Sequence, residues 1–244
     1  MLQGLFNYDN PVWRFIGKLG DLILLNILWT ICSIPIFTIG ASTTAVYYVT
    51  LKLVRDEDSS TIKGFFHSFK SNFKQATAIW LLLLAVGLLL GFDFWFIVTG
   101  KMPLNEQVKL VLTAVFGGLL MILIFIATYV FPLQCRFYNT VKKTLFNAFF
   151  MSVRHLFHTL GILAIDIIIV AFSYFSLYFL PQISVLFVLF GMPLTAFVNS
   201  FFFTAIFRRY MPKETEEPAH SDISPLLDDS NEEIEEAIRN LKKQ

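Results

Sequence analysis

Five long apolar runs constrain this chain more than any other feature. A helix rises about 1.5 Å per residue and the hydrocarbon core of a bilayer is about 30 Å thick, so roughly 20 apolar residues cross it. Runs of that length lie at about Leu19 to Ile39, Ile79 to Val98, Val108 to Leu133, Gly161 to Leu180 and Val185 to Phe207. With 56 % hydrophobic and 15 % charged residues, the chain has the composition of a protein whose solvent is lipid. The predicted fold is an all-α integral membrane protein with about five transmembrane helices. The opening MLQGLFNYDNPVWRFIGKLGD lacks the basic start, short apolar core and small-residue cleavage site of a secretory signal, so the first span is expected to remain as an anchor.

Charge divides the chain in two. Residues 1–210 carry 15 Lys and Arg against 8 Asp and Glu, whereas residues 211–244 carry 4 against 10. The expected domains are a basic transmembrane domain, 1–210, and an acidic cytoplasmic tail, 211–244. Lys and Arg in short loops are retained on the cytoplasmic side. They cluster after the first span (Lys52, Arg55, Lys63, Lys70, Lys74), after the third (Arg136, Lys142, Lys143, Arg154) and after the fifth (Arg208, Arg209). This distribution predicts a multi-pass protein of the cell membrane with its amino terminus outside and its carboxy terminus in the cytoplasm. Arg14 and Lys18 argue mildly against that orientation.

FFHSFKSNF at Phe65 is echoed by FFMSVRHLF at Phe149, 84 positions later. The offset pairs Phe65 with Phe149, Phe66 with Phe150, Ser68 with Ser152, Lys70 with Arg154, Phe73 with Phe157 and Lys74 with His158. The implied unit is span, amphipathic helix, span, repeated in parallel over about 19–99 and 103–180, with the fifth span at about 185–207 added. Phe65, Phe66, Phe69 and Phe73, like Phe149, Phe150 and Phe157, fall at helical spacing and are expected to lie in the headgroup layer or to meet a cytoplasmic partner. Lys70, Lys74 and Arg154 stand beside them, within reach of phosphates.

No catalytic motif emerges. FIGKLG supplies the Gly17-Lys18 pair of a phosphate-binding loop but follows it with Leu19 and has Val12 where the first glycine belongs. There is no HExxH or GxSxG. His155 and His158 share a helix face without an acid or thiol beside them in sequence, so no cofactor or metal is expected. Cys32 and Cys135 lie in or at the end of spans, where a disulfide is not expected. Asp166, about five residues into the fourth span, is the intramembrane polar candidate, to be satisfied by an arginine such as Arg136 or Arg154. Asn26, Gln134 and Asn199 read as bonds between helices, and Gly87 and Gly91 as a close-packing pair.

Three stretches carry a family resemblance: TIGASTTAVYYVTLKLVRDEDSS from Thr38, FNYDNPVWRFIGKLGDLILLNILWTICSIP from Phe6 and IKGFFHSFKSNFKQATAIWL from Ile62. Together they resemble the YesL-type membrane proteins, a poorly defined family of mainly Gram-positive bacteria whose members are often encoded beside carbohydrate ABC importers. The resemblance implies a role in sugar uptake. On the residues alone, the Thr38 stretch reads as a helix leaving the membrane, with Thr43 and Thr44 bonding carbonyls freed near Pro35.

In the tail, KETEEPAHSDISPLLDD reads as a linker and SNEEIEEAIRNLKKQ as a short helix capped by Ser230 and Glu233. The expected function is a non-enzymatic accessory or regulatory subunit of a carbohydrate ABC importer. Its partners would be the lipid bilayer, the importer's permease subunits and its ATPase, with no nucleic acid. The alternative is a self-sufficient transporter or channel with a site between the two repeats.

Overall fold

In the computed structural model, the described residues are 11–57, 60–100, 105–137 and 139–211, and the tail linker and terminal helix read from the sequence lie outside them. Among the described residues seven α-helices run in chain order: α1 (Pro11–Ser33), α2 (Ile39–Val54), α3 (Thr61–Val98), α4 (Glu106–Arg136), α5 (Val141–Arg154), α6 (Leu156–Phe179) and α7 (Pro181–Phe207). Five of them, α1, α3, α4, α6 and α7, are long and apolar enough to cross a membrane. The chain separates into a unit of residues 1–207 and another of residues 208–244.

The first span ends earlier than its apolar run. Pro35 has no N–H to continue the helix and holds its own backbone extended (φ −73°, ψ 112°). The carbonyls this frees are taken up by Thr38, whose hydroxyl donates to Cys32 O at 2.5 Å and Pro35 O at 2.6 Å. A single 3-10 turn, Ile36–Thr38, then reverses the chain into α2. Thr44 bonds Gly40 O at 2.8 Å, an ordinary bond one turn back, and Thr43 accepts from the Trp29 indole at 3.2 Å. Thr38 therefore does what the sequence assigned to Thr43 and Thr44.

Far from being an exit segment, α2 is the core. Every residue from Gly40 to Tyr47 is buried, and the helix packs against α1, α3, α4 and α7. The small residues make this possible. A methyl group on Gly40 would sit 2.5 Å from both Ala76 O and Trp80 Cβ of α3, so only glycine lets the two backbones approach this closely.

Because α2 retraces α1, the start of α1 meets the α2–α3 connection. Arg14 Nη2 and Lys18 Nζ contact Asp56 at 2.9 and 2.7 Å, and Thr61 donates to Asp21 at 2.6 Å. The sequence reading placed these two regions on opposite sides of the membrane. In the structure they touch.

The two copies of the repeat are also built differently. In the first, amphipathic stretch and span form one uninterrupted helix, the 38-residue α3, about 57 Å long. A rod of that length cannot lie flat in the headgroup layer over its first half and cross the membrane with its second. In the second copy His155 (φ −110°, ψ 42°) breaks the helix, separating α5 from α6. Among the described residues of the second copy, α4 is followed directly by α5, with no helix in the place that α2 takes in the first.

The last span is kinked. Gly191 adopts φ 41°, ψ −135°, a conformation open to glycine and strained for other residues. Its missing side chain leaves room for Asn26 of α1, whose amide donates to Val188 O at 2.8 Å. Asn26 thus bonds α1 to α7 as expected.

Candidate functional site

The first half of α3, the last turn of α4 and the start of α5 enclose a cleft of about 1020 Å³. One buried side chain organises it. Gln134 donates to Gln75 Oε1 at 2.6 Å and to Asn72 Oδ1 at 3.3 Å, while its own carbonyl accepts from Thr144 at 3.2 Å. Asn72 is anchored in turn to Ser68 O at 3.1 Å. Three helices are therefore tied by one amide, which the sequence identified as an interhelical bond without its partners.

Lys70 and Lys74, one turn apart on α3, line the cleft, and Lys143 joins them from α5. Among the described residues none of the three forms an ion pair, and no Asp or Glu lines the cleft. Phe69, Phe73 and Phe137 supply its apolar walls. Phe69 stacks on Phe65 (6.0 Å, 14°) and meets Phe73 edge-on at 5.5 Å, and Phe137 is held edge-on to Phe207 at 5.4 Å.

Of the residues singled out in sequence, Phe69, Lys70, Phe73 and Lys74 come together here. Phe65 is fully buried behind them, and Phe66 turns outward. The second copy lends the end of α4 and the start of α5 to this cleft, and Phe149, Phe150 and Phe157 lie outside its lining. Phe149 is half-buried, whereas Phe146, Phe150 and Val153 on α5 and Phe157 on α6 are exposed, Phe157 to 90 %. Phe146, Phe150 and Val153 fall at helical spacing on α5 beside Lys142 and Arg154, and Phe157 follows the break at His155. Lys143 and Asn139 were the cleft residues hardest to foresee, because they lie more than sixty positions from Lys74.

Asp166 finds a hydrogen-bond donor on the neighbouring span. It accepts from Asn199 Nδ2 of α7 at 2.8 Å, joining α6 to α7. Nearby, Thr50 of α2 shares a hydrogen bond with Ser200 at 2.9 Å, and Tyr129 of α4 shares one with Thr159 at 2.9 Å. His155 and His158 stand edge-to-face, 5.9 Å between ring centres, and His158 also faces Phe202. A methyl group at Gly87 would meet Leu123 at 3.4 Å whereas one at Gly91 would meet nothing within 4 Å, so among the described residues only Gly87 of that pair faces a neighbouring helix closely. Cys32 and Cys135 are free thiols.

Residues 22–94, from the middle of α1 through most of α3, match the family described as "Protein of unknown function, DUF624". Over 153 residues the chain is 24 % identical to "Uncharacterized protein YesL" of Bacillus subtilis (strain 168), covering 62 % of this chain and 70 % of the relative. No solved structure matches. The match region holds the α1–α2 reversal, the buried α2 and one wall of the cleft, the same stretches that carry the resemblance in sequence. The chain is thus similar to the DUF624 family over residues 22–94 and to YesL over 153 residues, and its five long apolar helices fit a multi-pass membrane protein.

Proposed function

We propose that the protein is a non-enzymatic accessory or regulatory membrane subunit of a carbohydrate ABC importer. The sugar-uptake context is what the family resemblance implies. The observation that carries the reading is the exposed stripe of Phe146, Phe150 and Val153 on the short helix α5, followed past the break at His155 by the exposed Phe157 of α6. Such a stripe is an anchor for a partner's groove, with Lys142 at its margin to steer an acidic surface. The lipid-facing apolar residues of the spans would meet the importer's permease subunits, and α5 its ATPase.

In this reading the basic end lies in the cytoplasm of a cell-membrane protein, and Arg14 and Lys18 lie there with it because they contact Asp56. The amino-terminal end of α1 is then cytoplasmic, which removes the conflict those two charges posed.

The test is purification of the tagged protein from native membranes in mild detergent, with mass spectrometry of what accompanies it. Stoichiometric importer subunits, reduced by the double substitution Phe146→Ser and Phe150→Ser, are the expected result. Recovery of the protein without them, from membranes where they are abundant, sinks the reading. A transporter with its own site remains the second reading, favoured by the kink at Gly191 and the Asp166–Asn199 pair between α6 and α7. Solute uptake by the protein alone in vesicles, lost in Asp166→Ala, would support it.

A further inference from the structure

We propose that the cleft between α3, α4 and α5 is a binding site for a small phosphate-bearing polyol, either a free sugar phosphate or the glycerol phosphate head of an anionic lipid. Three properties of the cleft select this chemistry, and each excludes a simpler ligand.

The charge comes first. Lys70, Lys74 and Lys143 approach from two helices with no acidic residue in the lining among the described residues, so the lining presents positive charge that a neutral sugar leaves uncompensated. An anion with several acceptor oxygens answers it with charge-assisted hydrogen bonds. The start of α5 adds backbone N–H groups at the same lip, where Thr140 makes no side-chain cap.

Size comes second. About 1020 Å³ lies at the upper end of small-ligand pockets and leaves most of the space empty around a bare phosphate. The lining of that space is the third property. Gln75 gives its carbonyl to Gln134 and keeps its NH₂ for a ligand, and Asn139 brings a second carboxamide. Carboxamides both donate and accept, as hydroxyl groups do. Phe69 and Phe73 offer flat apolar faces to the C–H side of a sugar ring or to the glycerol end of an acyl chain.

The cleft is also built in advance. Gln134 is almost completely buried and is held by bonds to two other helices, so the polar lining is fixed before any ligand arrives. The inference stands on the cleft alone and needs no importer, so it and the subunit reading fail separately.

The test uses the full chain in nanodiscs of phosphatidylcholine. Calorimetric titration with a hexose 6-phosphate, the unphosphorylated hexose, inorganic phosphate and AMP is paired with native mass spectrometry after addition of phosphatidylglycerol. Saturable binding of the hexose phosphate supports a free ligand. A single retained phosphatidylglycerol, undisturbed by hexose phosphate, supports the lipid source. In either case Lys70→Gln with Lys74→Gln should weaken binding about tenfold or more while the melting temperature holds. Should that variant fail to fold, Asn139→Ala and Lys143→Gln, both on the lip, must weaken binding in its place. Equal binding of the neutral hexose, tighter binding of AMP, no binding of either polyol phosphate, or indifference to the substitutions overturns the proposal.

Discussion

Replacing Gly40 with alanine tests the central packing of the molecule. The added methyl would stand 2.5 Å from Ala76 O and from Trp80 Cβ, about 0.9 Å short of ordinary contact at 3.4 Å. Neither obstacle can rotate away, since one is backbone and the other is fixed to it. The helices must therefore part, and a gap of 0.5–1 Å forfeits roughly a quarter to a half of the dispersion well for each atom pair along the contact. Overpacking of this kind costs about 1–3 kcal/mol, against which alanine's better helix propensity returns at most about 1 kcal/mol. Gly118→Ala and Gly20→Ala are the controls, because a methyl at either position meets nothing within 4 Å. Unfolding in mixed micelles, followed by tryptophan fluorescence, should show Gly40→Ala destabilised by about 1–2 kcal/mol while the controls stay level or gain slightly. If Gly40→Ala proved as stable as Gly118→Ala, the close α2–α3 contact would be refuted.

Three further outcomes are expected. Gly191→Ala should destabilise by about 1–3 kcal/mol through its positive φ and its collision with Asn26, and adding Asn26→Ala should recover only the part due to the collision, as the same unfolding assay would show. Asp56 has its carboxyl held below the usual range chiefly by its hydrogen bond from Lys18, with Arg14 adding to it. Its contribution to stability is therefore present above pH 4 and falls away as pH drops through the lowered pKa. Asp56→Asn should remove that acid-side slope in a pH series of melting temperatures, and an unchanged slope would count against the contact. Finally, with Cys32 and Cys135 replaced by serine, thiols introduced at Gly17 and at Ser71 should react with an impermeant maleimide from the same face of sealed vesicles. Reaction from opposite faces would contradict the α1–α2 reversal.

The spans were legible because length and apolarity are local properties, and all five appear as helices. Asn26, Gln134 and Asn199 were legible as bonds between helices because a lone amide among apolar residues has few other uses. The return of α2 was not. At 16 residues, rich in Thr and Tyr, it is too short and too polar to read as a pass, and Pro35 signals a break without saying how far the chain then turns. Nor could the continuity of α3 be told from the break at His155, since neither joint carries a glycine or proline. Half of the cleft was visible as Lys70 and Lys74, one turn apart. The other half depends on α5 folding back against α4, and no periodicity in the sequence reports that. Asp166 was rightly marked as needing a partner, and the nearer supply was the amide on α7.

The unbroken α3 gives the two halves of the protein unequal mechanics. Residues 69–75, which form one wall of the cleft, and residues 80–98, which run on through the apolar span, belong to a single rod braced by Gly40 near its middle. Whatever displaces the first group tilts the second, as a lever turns about its fulcrum. On the opposite wall the helix is broken at His155, so α5 is not one rod with the span behind it and a displacement there is not passed straight along the axis of α6. A signal entering the cleft would thus be carried into the membrane by one wall and absorbed by the other.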